Sequence, residues 1–299
     1  MQQGDVQWSV YFIANKTRYA CFNCNEMNLL VCFVADMTSN SSSERQKLNQ
    51  RLNAAPAGAV LTSAWLKSQG ISSRLANYYA SSGWLHRVGD GAFTIRPEPP
   101  TWLGGVFGLQ QKSKWFHPGG RTALELSGLA HFLPLGDAHP VYLFSRAGDR
   151  LPAWFKGLPW FSRVRHVSTN FLPPELGLHK HREGALDVTV SAPERAALEF
   201  LQHLTLDDAG YEHANLVFEG LGTLRSEVVQ SLLEACASIK VKRLFLHLAE
   251  KHAHAWFKQL DLAKVSLGSG KRALIPGGRL DSKYLITVPA VVDTPSDAP

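Results

Sequence analysis

The feature that most constrains this chain is an ordered run of helix and turn signals between Glu44 and Pro100. Residues 45–55 place Leu48 and Leu52 at i, i+4, and Pro56 ends that short helix. Thr62 is placed to cap a helix through Ala64, Trp65 and Leu66 to Gln69, which Gly70 stops. After Ile71, Ser72 caps a further helix that holds Leu75, Tyr78 and Tyr79 on one face as far as Gly83. Residues 84–88 and 92–95 read as strands joined by the hairpin loop Gly89-Asp90-Gly91. Helix, helix, glycine turn, helix and two-stranded hairpin is the order of a winged helix-turn-helix. Pro97, Pro99 and Pro100 close the segment, because such a run continues neither a helix nor a central strand.

A recognition helix must bury one face on its partner and offer the other to a major groove roughly 12 Å wide. The buried face is expected from Ile71, Leu75, Tyr79 and Tyr78, and the open face from Ser72, Ser73, Arg74 and Asn77. Arg can grip guanine bidentately, Asn can grip adenine, and serine hydroxyls at a helix start can hold phosphate. Thr62 and Lys67 of the preceding helix and Arg87 of the wing complete the expected DNA-binding set, with Lys67 meeting phosphate. Asp90 at the wing tip is better suited to its own turn than to phosphate. The charge follows the motif: residues 43–100 hold seven Lys or Arg against three acids, whereas the whole chain carries only +6.

At 299 residues and 45% hydrophobic, the chain has material for about two domains and is not wholly disordered. No apolar run approaches the roughly 18 residues of a membrane helix, and no secretory signal opens the sequence, so a cytoplasmic protein is expected. Residues 1–42 read as a leader and linker outside the folded body, and residues 291–299 as a polar tail. Cys21, Cys24 and Cys32 have half of a zinc-knuckle spacing with no second half, so reduced thiols and no metal are expected.

Residues 101–290 read as a larger, mixed domain, giving an α+β protein overall. Helices are expected over 121–131, 193–204, 208–220, 224–237 and around the stripe Val241, Leu244, Phe245 and Leu248. Ser191-Ala-Pro-Glu194 has the form of a capping box. Strands are expected over 141–145, 164–169, 186–190, 264–267, 272–275 and 284–288. Catalytic motifs fail on inspection. A phosphate loop ending at Gly270-Lys271 would need glycine where Val265 stands and Ser or Thr where Arg272 stands. Neither HExxH nor GxSxG occurs, and His179-Lys-His181 and His252-Ala-His254 are weak as ligand pairs. No catalytic residue and no cofactor is expected.

Several segments resemble the antitoxins and transcriptional regulators of type IV, abortive-infection AbiE-type toxin–antitoxin modules, over roughly 44–290. They are Leu85-His-Arg-Val-Gly-Asp-Gly-Ala-Phe93, Thr122-Ala-Leu-Glu-Leu-Ser-Gly128, Ser191-Ala-Pro-Glu-Arg-Ala196, Lys242-Arg-Leu-Phe-Leu246 and Gly270-Lys-Arg272. The resemblance implies a repressor of its own operon that binds inverted repeats in double-stranded DNA. It also implies an antitoxin that counteracts a nucleotidyltransferase-like toxin. Arg195, Arg243, Lys271 and Arg272, cations near helix starts or turns, are the candidates within that larger domain. The alternative is that these four cations build an enzyme site for a phosphate-containing substrate.

Overall fold

In the computed structural model, which describes residues 55–129 and 139–289, two hydroxyl side chains start the first two helices. Strand β1 (Leu61–Thr62) runs into α1 (Ser63–Ser68), whose first turn is capped by Thr62 Oγ1 accepting from Trp65 N. Ser72 Oγ accepts from Leu75 N at 3.2 Å and opens α2 (Ser73–Ser81). Strands β2 (His86–Gly89) and β3 (Ala92–Thr94) follow, and the antiparallel sheet runs β1-β3-β2. The helix expected over 45–55 (all but Ala55), the leader, the three clustered cysteines and the tail lie outside the described residues.

The buried face of α2 differs in part from expectation. Ala76 and Tyr79 are buried behind Ile71, Leu75 is half-buried, and Tyr78 is 64% exposed. Tyr78 comes two residues after Ala76, about 200° around the helix, and so turns outward.

Past the prolines, Thr101 caps α3 (Trp102–Lys112), accepting from Gly104 N at 3.0 Å. Three glycines make this segment a weak helix former on its own. They are used for close approach: a Cβ on Gly104 would overlap the Gly58 carbonyl oxygen, and one on Gly108 would press on Val60 and Trp154. Adjacent glutamines then fasten α3 in two directions. Gln111 Oε1 accepts from Thr62 N and Oγ1, each at 2.8 Å, and Gln111 Nε2 donates to the Val60 carbonyl at 2.9 Å. Gln110 makes a two-way pair with Thr189, accepting from its N at 2.8 Å and donating to its carbonyl at 2.7 Å.

The rest is built around one buried helix. Strand β4 (His117–Pro118), α4 (Gly120–Leu126), β5 (Val141–Ser145), α5 (Ala153–Lys156) and β6 (Val164–Ser168) come first. Their sheet runs β4-β5-β6, with β5 and β6 parallel from Val141↔Val164 to Ser145↔Ser168. Strands β7 (Leu178–Glu183) and β8 (Leu186–Ser191) form an antiparallel hairpin. Then come α6 (Pro193–Gln202), α7 (Asp208–Glu219), α8 (Ser226–Ala235) and α9 (Ile239–Lys251). The short pair β9 (Arg279–Asp281) and β10 (Ile286–Val288) follows. Helix α6 is buried from Glu194 through Leu201, packed by α4, α8, α9 and β8. The expected stripe of α9 is wholly buried in the same core.

Other expectations need correcting. The helix begun near Arg121 ends at Leu126. Residues 264–267 and 272–275 are not strands: Leu262–Lys264 is a single 3-10 turn, and Arg272 makes only an isolated bridge to Ile286. The capping box is not formed either. Ala192 is the N-cap of α6, while Ser191 turns to Glu199 and Glu194 turns to Arg225.

Candidate nucleic-acid interface

The exposed face of α2 carries Ser72, Ser73, Arg74, Asn77 and Tyr78, and Lys67 is exposed on α1. Arg74 and Asn77 are three residues apart and share that face, while Ala76 and Tyr79 anchor the other. Arg87 reaches over from the wing: its Nη2 donates to Asn77 Oδ1 at 2.9 Å, and its guanidinium lies 5.3 Å from the Phe93 ring centroid. The contact ties wing to recognition helix and alters the expected chemistry of Asn77. A bidentate grip on adenine needs the amide oxygen as acceptor, and Arg87 takes one of its two lone pairs. The pair as built offers donors, which suit phosphate or guanine. Sequence reasoning missed Tyr78, although its position four residues after Arg74 already put it on this face.

Thr62 does not belong to this face. It is buried, its oxygen caps α1, and its hydroxyl donates to Gln111. Its one hydroxyl donor, the group a phosphate would need, is spent on the fold.

The four cations expected in the larger domain are not brought together. Arg195 is buried on α6, with Nε donating to Glu199 Oε1 at 2.7 Å and Nη1 donating to the carbonyls of Pro173 and Leu176. Glu199 is fully buried and also accepts from Ser191 Oγ at 2.7 Å and Gly120 N at 3.0 Å, with His117 Nε2 at 3.2 Å. Burial pushes the Glu199 carboxyl up, but Arg195, His117 and Ser191 more than offset this and hold its pKa down at about 2. Arg243 is also interior. It donates to the carbonyls of Leu267, Gly268, Gly270 and Leu285, closing the 266–271 loop from within. Those carbonyls point inward, the reverse of a phosphate loop, whose N–H groups do so. Arg195 and Arg243 are therefore tied into the interior by these bonds, and Lys271 and Arg272 alone of the four are exposed.

One further cluster has the outline of a hydrolytic triad. His247 lies 2.6 Å from Asp281 through Nδ1 and 2.9 Å from the Tyr211 hydroxyl through Nε2. Burial, then Glu212 and Asp281, push the Tyr211 hydroxyl up to about 12, so it is a poor nucleophile near neutral pH. The adjoining hollow of about 10 Å³ admits no substrate. Among the described residues, no group of three or more His, Cys, Asp or Glu is arranged to hold a metal ion. No described helix is long and apolar enough to cross a membrane.

Comparison with known proteins fits this picture. Residues 44–135 match the family described as transcriptional regulator, AbiEi antitoxin N-terminal domain. Residues 138–289 match the family described as transcriptional regulator, AbiEi antitoxin, type IV TA system. No curated protein is matched. Among solved structures, the crystal structure of the RV2827C protein from Mycobacterium tuberculosis aligns with a TM-score of 0.47 at 14% identity, over 80% of this chain and 88% of that one. With family matches across almost all of 44–289, behind the winged fold derived above, the chain belongs to the AbiEi antitoxins of type IV toxin–antitoxin systems, which are transcriptional regulators.

Proposed function

We propose that this antitoxin represses its own operon by binding inverted repeats in double-stranded DNA, and that it counteracts a nucleotidyltransferase-like toxin encoded beside it. It acts in the cytoplasm, without a catalytic site or cofactor of its own. The winged module within residues 43–100 reads the operator, and the domain over 101–290 carries the antitoxin role. Lys271 and Arg272, exposed in the larger domain, are its candidate contacts.

The observation that carries the DNA reading is the exposed polar face of α2, with Ser72, Ser73, Arg74 and Asn77 held outward by the buried Ile71, Ala76 and Tyr79 and cross-linked to the wing through Arg87. Gel-shift titration on the promoter upstream of the operon, at two salt concentrations, tests it. Arg74→Ala should cost about 1–3 kcal/mol of operator affinity and relax preference at one base pair. Lys67→Ala should weaken binding evenly across sequences and reduce the salt slope by about one unit. Undiminished operator binding by a folded Arg74→Ala, Asn77→Ala double variant would overturn the reading.

A further inference from the structure

A cavity of about 310 Å³ opens beyond the carboxyl ends of the parallel strands β5 and β6, far along the chain from α2. Ligands of parallel sheets collect in crevices at that end of the strands. The volume lies at the lower bound for small-molecule sites. Its walls join Trp115, the residues that follow β5 and β6, the Pro173-Pro174 turn and Arg195 of α6.

Three polar side chains there, Arg146, Asn170 and Arg195, keep donor groups that are not used within the fold. Arg195 spends Nε and Nη1 on internal acceptors, but its Nη2 has no acceptor among the described residues, although the side chain is only 6% exposed. The Asn170 amide oxygen accepts from Ala147 N at 3.0 Å, which leaves its NH2 group free to donate. Arg146 is exposed at the rim, with its guanidinium 4.9 Å from the Trp115 ring centroid and without a side-chain hydrogen bond among the described residues. Two guanidinium groups and an amide NH2 around one hollow select an anion, and fork-shaped guanidinium donors suit phosphate oxygens. Lys114 also lies over Trp115, at 4.6 Å from the ring centroid.

We propose that this cavity binds a small phosphate monoester of mononucleotide size, with its phosphate held by Arg146, Arg195 and Asn170. Nothing in the DNA-reading face requires such a site, so it stands or falls separately from the repressor reading.

Isothermal titration calorimetry of the full chain at constant ionic strength tests it, with adenosine 5′-monophosphate, adenosine, inorganic phosphate and acetate as probes. The monophosphate should bind, inorganic phosphate should bind more weakly, and adenosine and acetate should give no heat. Arg146→Glu and Asn170→Asp, both at exposed positions, should each weaken monophosphate binding about tenfold or more while the melting temperature holds. Arg146→Lys should retain part of the affinity. Absence of monophosphate binding by the native chain would overturn the proposal. So would binding indifferent to both acidic variants, or adenosine or acetate binding as well as the monophosphate. Displacement of the monophosphate by duplex DNA of unrelated sequence would also overturn it, by giving the cavity to a phosphodiester backbone.

Discussion

The winged module and the domain around α6 use the same residue type in opposite ways. In the first, Lys67, Arg74 and Arg87 stand outside with no carboxylate partner among the described residues. In the second, Arg195 and Arg243 are interior and donate to a carboxylate or to backbone carbonyls. A cation near a helix start or a turn therefore says little by itself. What separates the two uses is the acceptor supply. Arg195 has Glu199 one helical turn ahead, whereas Arg74 has Tyr78 at that spacing.

If the contrast is right, the two regions fail in different ways. The largest effect is expected from Glu199→Leu, which leaves Arg195 and His117 buried without their carboxylate and should cost about 3–5 kcal/mol of stability in urea denaturation. Arg74→Ala, by contrast, should stay within about 0.5 kcal/mol of the native chain. A loss below that same margin for Glu199→Leu would make the buried network a bystander.

A smaller effect comes with acid. The Glu199 carboxyl titrates at about 2 in the fold against an ordinary value of 4.5. A depressed folded pKa stabilises fully above the unfolded value, and this contribution is lost as pH falls from 4.5 toward 2. Melting temperatures measured down through that window should fall more steeply for the native chain than for Glu199→Gln, and parallel curves would count against the role given to Glu199.

The smallest effect separates a cap from a contact. Thr62→Ala should cost about 1 kcal/mol of stability through the lost N-cap, and leave operator affinity unchanged once binding is measured well below the melting temperature. A selective loss of affinity in a fully folded Thr62→Ala would return that residue to the DNA face.

The winged module could be read from the sequence because its signals are local: hydroxyl caps at Thr62 and Ser72, a stop at Gly70, and a glycine-flanked hairpin. The exception was Tyr78. At i+3 from Leu75 it suits an apolar stripe as well as Tyr79 does, and only the packing of Ala76 decides between them. The buried helix α6 announced itself by its composition, but the partners of its charges did not. Ser191, Gly120 and His117 converge on Glu199 from three other elements, and no spacing rule joins them. Helix α3 went unread because its glycines argue against a helix, and their reasons are distant neighbours, such as Gly58, 46 residues back in the chain from Gly104. The pair of three-residue strands near the C-terminus is too short to show any alternation.

The neighbouring glutamines of α3 have a consequence for modularity. Gln111 holds the head through Val60 and Thr62, and Gln110 holds the body through Thr189. One turn of helix is thus a shared beam, and the proline run at 97–100 is not a perforation along which the head can be torn off. A head transplanted from a relative would have to bring its own α3, glycines included, or arrive with its mounting surface bare. Recombination between such regulators should therefore leave viable crossovers after this helix rather than before it.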